Sequence, residues 1–307
     1  MDGLGRRPPW PAPSGRWPGP LSRIPEDLES HGSPRKPTEA HGSPRKPTEE
    51  EGVMRKLRLV IALCVSALAV LLGGAMPAQA IIGGQDATSP YSFMTSLQSG
   101  GEHFCGGSLV APSWVVTAYH CVVKYENAPQ DLTLRIGSLD WDSGGSTRGV
   151  SQVVLYPGGK PNAHDLALLK LDQPLANVPV RIGVRPAEGS PARLIGWGCR
   201  RPGQAFCSPP EVLQQLDSTV RPASDCAAAE NPIDPASEIC TGNPEAQAGP
   251  CKNDSGGPLL VPDDNGTWRL LGAFSRMYDT FCQEYKGIYT DVAAHRTWIE
   301  SVTGPLS

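Results

Sequence analysis

After residue 80 this sequence predicts an all-β fold, a sandwich or a barrel, on three observations. Short apolar runs rich in β-branched residues recur from residue 92 onward; Gly, Pro, Asn and Asp punctuate them; and only the end of the chain reads as helical. The first set of runs lies at 92–97, 107–110, 113–117, 132–136, 149–155 and 166–171. A second set lies at 192–196, 212–220, 258–261, 268–274 and 287–290, and the helix is expected over about 291–302. The proline-rich turn at 183–191 is the expected junction between two halves.

The 307 residues are enough for one large domain or two small ones. A formal net charge of −4 gives no reason to expect nucleic acid as a partner. That average hides an uneven distribution. From Ile81 onward 16 Lys and Arg stand against 23 Asp and Glu, whereas residues 1–53 are basic in patches and rich in Pro, Gly and Ser. Eight of the nine cysteines lie beyond residue 100, an even number that points to disulfides made in an oxidising compartment. No Cys-x-x-Cys pair occurs, so neither a zinc site nor a catalytic dithiol is expected, and no cofactor is called for.

The amino-terminal part divides in two. Residues 31–39 and 41–49 repeat the same nine residues, His-Gly-Ser-Pro-Arg-Lys-Pro-Thr-Glu, in a stretch with almost no aliphatic periodicity. Such a segment cannot bury enough apolar surface to order itself, so 1–53 is expected to be a disordered or non-native extension. Residues 54–80 carry the three parts of a secretory signal peptide. Met54-Arg-Lys-Leu-Arg58 is the positive start, 59–72 is the apolar run, and Ala75-Met-Pro-Ala-Gln-Ala80 ends in Ala-x-Ala. The run is shorter than the ~20 residues of a membrane span. Met54 is therefore the expected initiator, with an uncleaved signal anchor and a cytoplasmic tail as the alternative. Cleavage after Ala80 would remove Cys64 and leave Ile81-Ile-Gly-Gly84 as the terminus of a secreted, extracellular monomer with no stable membrane association.

The chemistry centres on Gly249-Pro-Cys-Lys-Asn-Asp-Ser-Gly-Gly-Pro-Leu-Leu260, which sets Ser255 on a turn between Asp254 and two glycines. Glycine permits backbone conformations that present a hydroxyl and neighbouring amides outward. A serine is a poor nucleophile near neutral pH without a base within hydrogen-bond reach. His120 follows an apolar strand in Ser113-Trp-Val-Val-Thr-Ala-Tyr-His-Cys121, and Asp165 opens another in His164-Asp-Leu-Ala-Leu-Leu-Lys-Leu171. Taken singly, a histidine after a strand is more often structural, and an acid at a strand mouth is more often a cap. His, Asp and Ser in that order, each at a strand-to-loop junction, point instead to nucleophilic catalysis.

The motifs Ile81-Ile-Gly-Gly, Thr117-Ala-Tyr-His-Cys, Asp165-Leu-Ala-Leu-Leu, Gly196-Trp-Gly and Asp254-Ser-Gly-Gly-Pro resemble the chymotrypsin/trypsin family of serine proteases, and read most like its small secreted bacterial members. The resemblance runs from about Ile81 to Val302. It implies two six-stranded antiparallel β-barrels with a C-terminal helix, in a protease domain over 81–307. Barrel one would span about 81–185, barrel two about 186–290 and the helix about 291–302. It implies cleavage of a protein or peptide substrate through an acyl-enzyme, with Ser255 as nucleophile, His120 as base and Asp165 as its orienter. Ser275 would hydrogen-bond Asp165, and the backbone N–H groups of Asn253 and Ser255 would form the oxyanion hole. The freed ammonium of Ile81 would pair with Asp254. The matching cysteines imply Cys105–Cys121, Cys226–Cys240 and Cys251–Cys282, leaving Cys199–Cys207 to stiffen a surface loop.

Several positions depart from the family. Asn253 replaces the oxyanion-hole glycine, and Tyr119 replaces a small residue before His120. Asn tolerates left-handed backbone, and only its N–H is needed. The ring of Tyr119 must find space behind the triad. At the pocket floor Gly249 and Pro250 offer nothing to pair with a substrate Arg or Lys. Arg276 and Met277 stand where the family has a flat apolar wall and a glycine, on the segment that normally pairs with substrate backbone. Gly287 is expected to keep the far wall open. A preference for a neutral or apolar residue before the cut, or a restricted substrate range, is expected. Ala80 precedes Ile81 where zymogens carry Arg or Lys, so signal peptidase itself would generate the competent terminus. The competing reading is a protease-fold binding module with weak or no turnover. An α/β-hydrolase esterase is disfavoured, because its histidine comes last in the chain.

Overall fold

The computed structural model describes residues 81–306 except 205. The extension 1–53 and the signal segment 54–80, with Met54 and Cys64, lie outside the described residues.

Six antiparallel strands close the first barrel in the order β2-β3-β4-β7-β6-β5. They are β2 (Met94–Ser99), β3 (Glu102–Ala111), β4 (Trp114–Thr117), β5 (Thr133–Ile136), β6 (Ser146–Leu155) and β7 (Ala167–Leu171). The period-2 logic of a strand is plain in β5, where Thr133 is exposed and Leu134 and Ile136 are wholly buried. Leu97, Leu109, Val115, Leu134 and Leu168 fill the interior, and full burial of each such side chain contributes about 1.5–3 kcal/mol. Register shifts at Leu97/Gln98, Leu109/Ala111 and Val150/Gln152 bend the strands so that the sheet closes.

The second barrel closes through β8 (Pro191–Gly196), β9 (Gln214–Arg221), β10 (Glu238–Gly242), β13 (Lys286–Asp291), β12 (Trp268–Met277) and β11 (Pro258–Pro262), with β8 pairing both β9 and β11. A two-residue strand, β1 (Gln85–Asp86), adds to the outer edge of β9. Its core gathers Leu194, Leu216, Ile239, Leu259, Leu271 and the ring pair Phe274–Tyr289, whose centroids lie 5.0 Å apart. The structure therefore has the two closed six-stranded antiparallel barrels and the C-terminal helix expected of the chain.

Several elements differ from the sequence reading, and three of them are instructive. β10 was not anticipated: Glu-Ile-Cys-Thr-Gly has one aliphatic residue, and its burial comes from Cys226–Cys240 and from β13 alongside. β12 runs on to Met277, beyond the expected end at 274. The terminal helix α2 (Arg296–Thr303) starts five residues later than residue 291, because Asp291 still belongs to β13. The Asp291 carboxylate instead accepts the N–H of Ala294 at 3.1 Å, making a turn before the helix. Ile299 is the wholly buried anchor of α2, with Trp298 and Val302 packed beside it. Gly304, at φ 81°, ends the helix by donating to Glu300 O at 3.0 Å.

Candidate active site

Asp165 lies two residues before β7 and is completely buried. A buried carboxylate is tolerable only when donors surround it. Its Oδ1 accepts the backbone N–H of His120 at 2.9 Å, and its Oδ2 accepts His120 Nδ1–H and Ser275 Oγ–H, each at 2.7 Å. This arrangement fixes the proton on His120 Nδ1 and leaves the Nε2 lone pair free. A turn at His164, at φ 51°, delivers Asp165 to the site. Stacking of Tyr156 on His164 (5.2 Å) and a 2.9 Å contact between His164 Nδ1 and His295 Nε2 hold that turn.

His120 sits on the four-residue helix α1 (Tyr119–Val122) at the end of β4. The Cys105–Cys121 bridge, with Cα atoms 6.4 Å apart, ties α1 to β3. Cys105, Cys121 and His120 lie close enough to chelate a metal, but both sulfurs are committed to the disulfide. The ring of Tyr119 finds its space over Gly159, where a Cβ would stand 3.1 Å from Tyr119 Cδ2.

The Ser255 turn belongs to the second barrel and is tied to the first. Ser255 O accepts Gly106 N–H from β3 at 2.7 Å, and Gly256 N–H donates to Phe274 O at 2.7 Å. Gly256 has φ 75°, and a Cβ there would lie 2.2 Å from Thr117 Oγ1, so both backbone and space require glycine. Asn253 is left-handed at φ 71°, a conformation asparagine accepts. Among the described residues neither Asn253 N–H nor Ser255 N–H has an acceptor, and the Ser255 hydroxyl makes no hydrogen bond.

Sequence reading missed His103. It is buried against Trp197, with ring centroids 5.5 Å apart, accepts from Ser96 Oγ at 2.9 Å, and donates Nε2–H to Asn253 O at 3.2 Å. It thereby fixes the Asn253 peptide, and no spacing marked a lone histidine in β3 for that task. Burial pulls its pKa from 6.5 down to about 4. The folded protein therefore resists protonation that the unfolded chain accepts. The stability this neutral imidazole contributes is complete above pH 6.5 and is lost as pH falls from 6.5 to about 4. Thermal unfolding from pH 7 to 4 should decline more steeply for the native chain than for His103→Gln. Equal slopes would remove His103 from the account.

Asp254 is also buried, and its carboxylate accepts Gly198 N–H at 2.8 Å and Cys251 N–H at 2.9 Å. Burial outweighs those donors and pushes its pKa to about 7. Ile81 is 1% exposed in the same barrel interior, and Ile82 and Gly249 exchange backbone hydrogen bonds at 2.9 and 3.1 Å. Among the described residues no ion pair reaches Asp254.

The pocket residues are arranged more tightly than expected. A Cβ at Gly249, the expected floor, would lie 2.2 Å from Tyr285 O, so this position has no room for a side chain. Gly287 does not leave its wall open: Pro250 Cγ occupies the space, 2.4 Å from where a Cβ would be. Arg276 forms no free cationic wall. It binds both carboxylate oxygens of buried Glu238 and also reaches Asn231 Oδ1 at 2.7 Å and Pro232 O at 2.7 Å. Removing the arginine would leave Glu238 buried and unpaired. Arg276→Ala is therefore expected to cost about 3 kcal/mol or more in a denaturant titration, and an unchanged midpoint would contradict this.

The structure joins Cys105–Cys121, Cys199–Cys207, Cys226–Cys240 and Cys251–Cys282. Cys199–Cys207 closes a loop that is exposed at Arg200, Arg201, Gly203, Gln204 and Phe206, and its Cys199 end reaches into the interior. Cys199 is 1% exposed and clusters with Ile82, Cys251 and Cys282, while Asn253 Nδ2 lies 3.5 Å from Cys207 O. The bridge braces the flank of the Ser255 turn.

Comparison with known proteins agrees with this architecture. The family model described as Trypsin matches residues 81–299. Trypsin epsilon of Drosophila erecta is 32% identical over 260 residues, covering 79% of this chain and 97% of the fly protein. Trypsin delta of Drosophila melanogaster is 34% identical over 254 residues, covering 77% and 96%. Granzyme M of Homo sapiens is 34% identical over 263 residues, covering 78% and 98%. These relatives are insect trypsins and a human granzyme, and they do not single out the small bacterial members that the motifs read most like.

Proposed function

The chain belongs to the trypsin family of serine proteases, which act on protein substrates, and from that premise we propose that it is a secreted serine endopeptidase working through an acyl-enzyme. The observation that carries the proposal is the buried Asp165 carboxylate shared between His120 and Ser275, beside the N–H groups of Asn253 and Ser255, which have no acceptor among the described residues.

In this reading Ser255 Oγ attacks the scissile carbonyl while His120 Nε2 takes its proton. The carbonyl carbon becomes tetrahedral, and its oxyanion accepts the N–H groups of Asn253 and Ser255. His120, now an imidazolium opposite Asp165, gives the proton to the leaving amine, and the C–N bond breaks. Water then repeats the sequence on the ester and frees Ser255. Asn253 serves as well as glycine because the hole uses its N–H and His103 holds its peptide. Gly249 and Pro250 carry no charge, and Tyr285 O closes over the floor. The residue before the cut is accordingly neutral or apolar, and Arg or Lys is disfavoured.

The domain plan of extension, signal peptide and protease domain from Ile81 belongs to the same proposal, as do secretion and a monomeric state. No helix among the described residues is long and apolar enough to cross a membrane. Amino-terminal sequencing of secreted protein tests the plan, and a mature start other than Ile81 would defeat it.

The unengaged Ser255 hydroxyl favours a second reading, a binding module on a protease scaffold. A fluorophosphonate probe separates the two. Labelling that disappears in Ser255→Ala supports the enzyme, and no labelling of the native chain supports the module.

A further inference from the structure

The edge of β12 next to Ser255 is occupied by another part of the same chain. Pairing of β12 with β11 stops at Pro258↔Ala273, so Ser275–Met277 has a strand on one side only, β13. Tyr278 N–H donates to Lys286 O at 3.0 Å, which by strand alternation turns the Met277 carbonyl to the open side. That edge begins at Ser275, whose hydroxyl holds Asp165. An extended peptide reaching Ser255 from this side would lie along it and pair with its backbone, as peptides add to free sheet edges generally.

The Met277 carbonyl is already taken. Asn231 Nδ2 donates to Met277 O at 3.1 Å and to Tyr278 O at 3.1 Å. The orientation of this amide is not ambiguous, because Asn231 Oδ1 accepts Arg276 Nε–H at 2.7 Å, and only an oxygen can stand there. Several contacts hold Asn231 in place. Its own N–H and C=O bond Ala228 at 3.1 and 3.4 Å, Arg276 also grips Pro232 O, and Cys226–Cys240 closes the loop. The side chain thus competes for the carbonyl that the backbone N–H of a peptide along this edge would use.

We propose that Asn231 is a specificity-determining residue: its amide occupies the Met277 carbonyl, so the cleft selects against substrates that pair along β12 and takes those held chiefly by the residue at the scissile bond. The inference rests on the protease reading for its meaning, yet it can be tested without turnover.

In a Ser255→Ala background, NMR titration would compare acetyl-leucine amide with an acetylated tetrapeptide ending in leucine amide. One released hydrogen bond corresponds to roughly fivefold in affinity. Asn231→Ala and Asn231→Asp should each bind the tetrapeptide about fivefold more tightly than the parent, with acetyl-leucine amide unchanged. The aspartate variant retains the acceptor for Arg276, loses the donors and adds a negative charge. A gain confined to Asn231→Ala would therefore assign the effect to loop loosening and overturn the proposal. No length-dependent gain in either variant, or no binding of the tetrapeptide to any form, would also overturn it. Hydrolysis of an activated leucine ester by the protein with Ser255 intact tests the protease reading separately. Failure there with the length effect present sinks only that reading.

Discussion

Ser255→Ala is expected to lower kcat/KM on peptide substrates by at least about 10⁴-fold while leaving the unfolding midpoint nearly unchanged. On the proposed mechanism Ser255, His120 and Asp165 act as a unit, so removing the nucleophile would remove the acyl-enzyme route. What survives is the residual effect of binding and of the two N–H groups. The fold should not notice, because the known bonds of the turn are made by backbone. Ser255 O receives Gly106 N–H and Gly256 N–H reaches Phe274 O, and both persist in alanine. Steady-state kinetics beside a thermal melt reads both halves. A loss of less than tenfold would mean that some other group carries the chemistry.

The second large effect concerns the chain end. A protein beginning at Ile81 should exceed one that retains Ala80 by on the order of 10²-fold or more in kcat, the size of effect expected when an oxyanion donor is misplaced. With Ile81 N as a peptide nitrogen, Asp254 is a buried carboxyl whose pKa is raised from 3.8 to about 7, so ionising it costs about 4 kcal/mol more than in water. The sign follows from linkage. Between pH 3.8 and about 7 the folded extended form holds a proton that the unfolded chain has released. Its stability is complete below 3.8 and falls as pH rises through about 7. A freed ammonium at Ile81 would supply the missing counter-charge and abolish that decline. Denaturant titrations of both forms at pH 5 and 8 check this. Equal stability changes with pH, or equal kcat, would refute the pairing of Ile81 with Asp254.

Strand positions were legible wherever apolar residues alternated, as in Thr133–Ile136, and lost where covalent bonds or neighbours supplied the burial. Glu238–Gly242 is the case in point: its strand character depends on Cys226–Cys240 and β13, which no local window contains. Asp165 and His120 were legible through their motifs, and the structure brings them together at 2.7 Å. The surroundings were not. His103 and Asn253 are separated by 150 residues, and Arg276 and Glu238 by 38, so their meeting is a product of barrel closure. Gly287 misled because glycine in sequence means room, whereas here Pro250 fills that room.

The site is assembled across two barrels: His120 and Asp165 stand on the first, Ser255 and Ser275 on the second, with Gly106 N–H to Ser255 O as one strap between them. On the proposed mechanism, catalytic output would therefore act as a gauge of the seam. Any solvent, temperature or mutation that lets the halves slide by an ångström should silence the protein while each sheet keeps its circular dichroism. Inactivation should precede melting, and neither half expressed by itself should cut a bond.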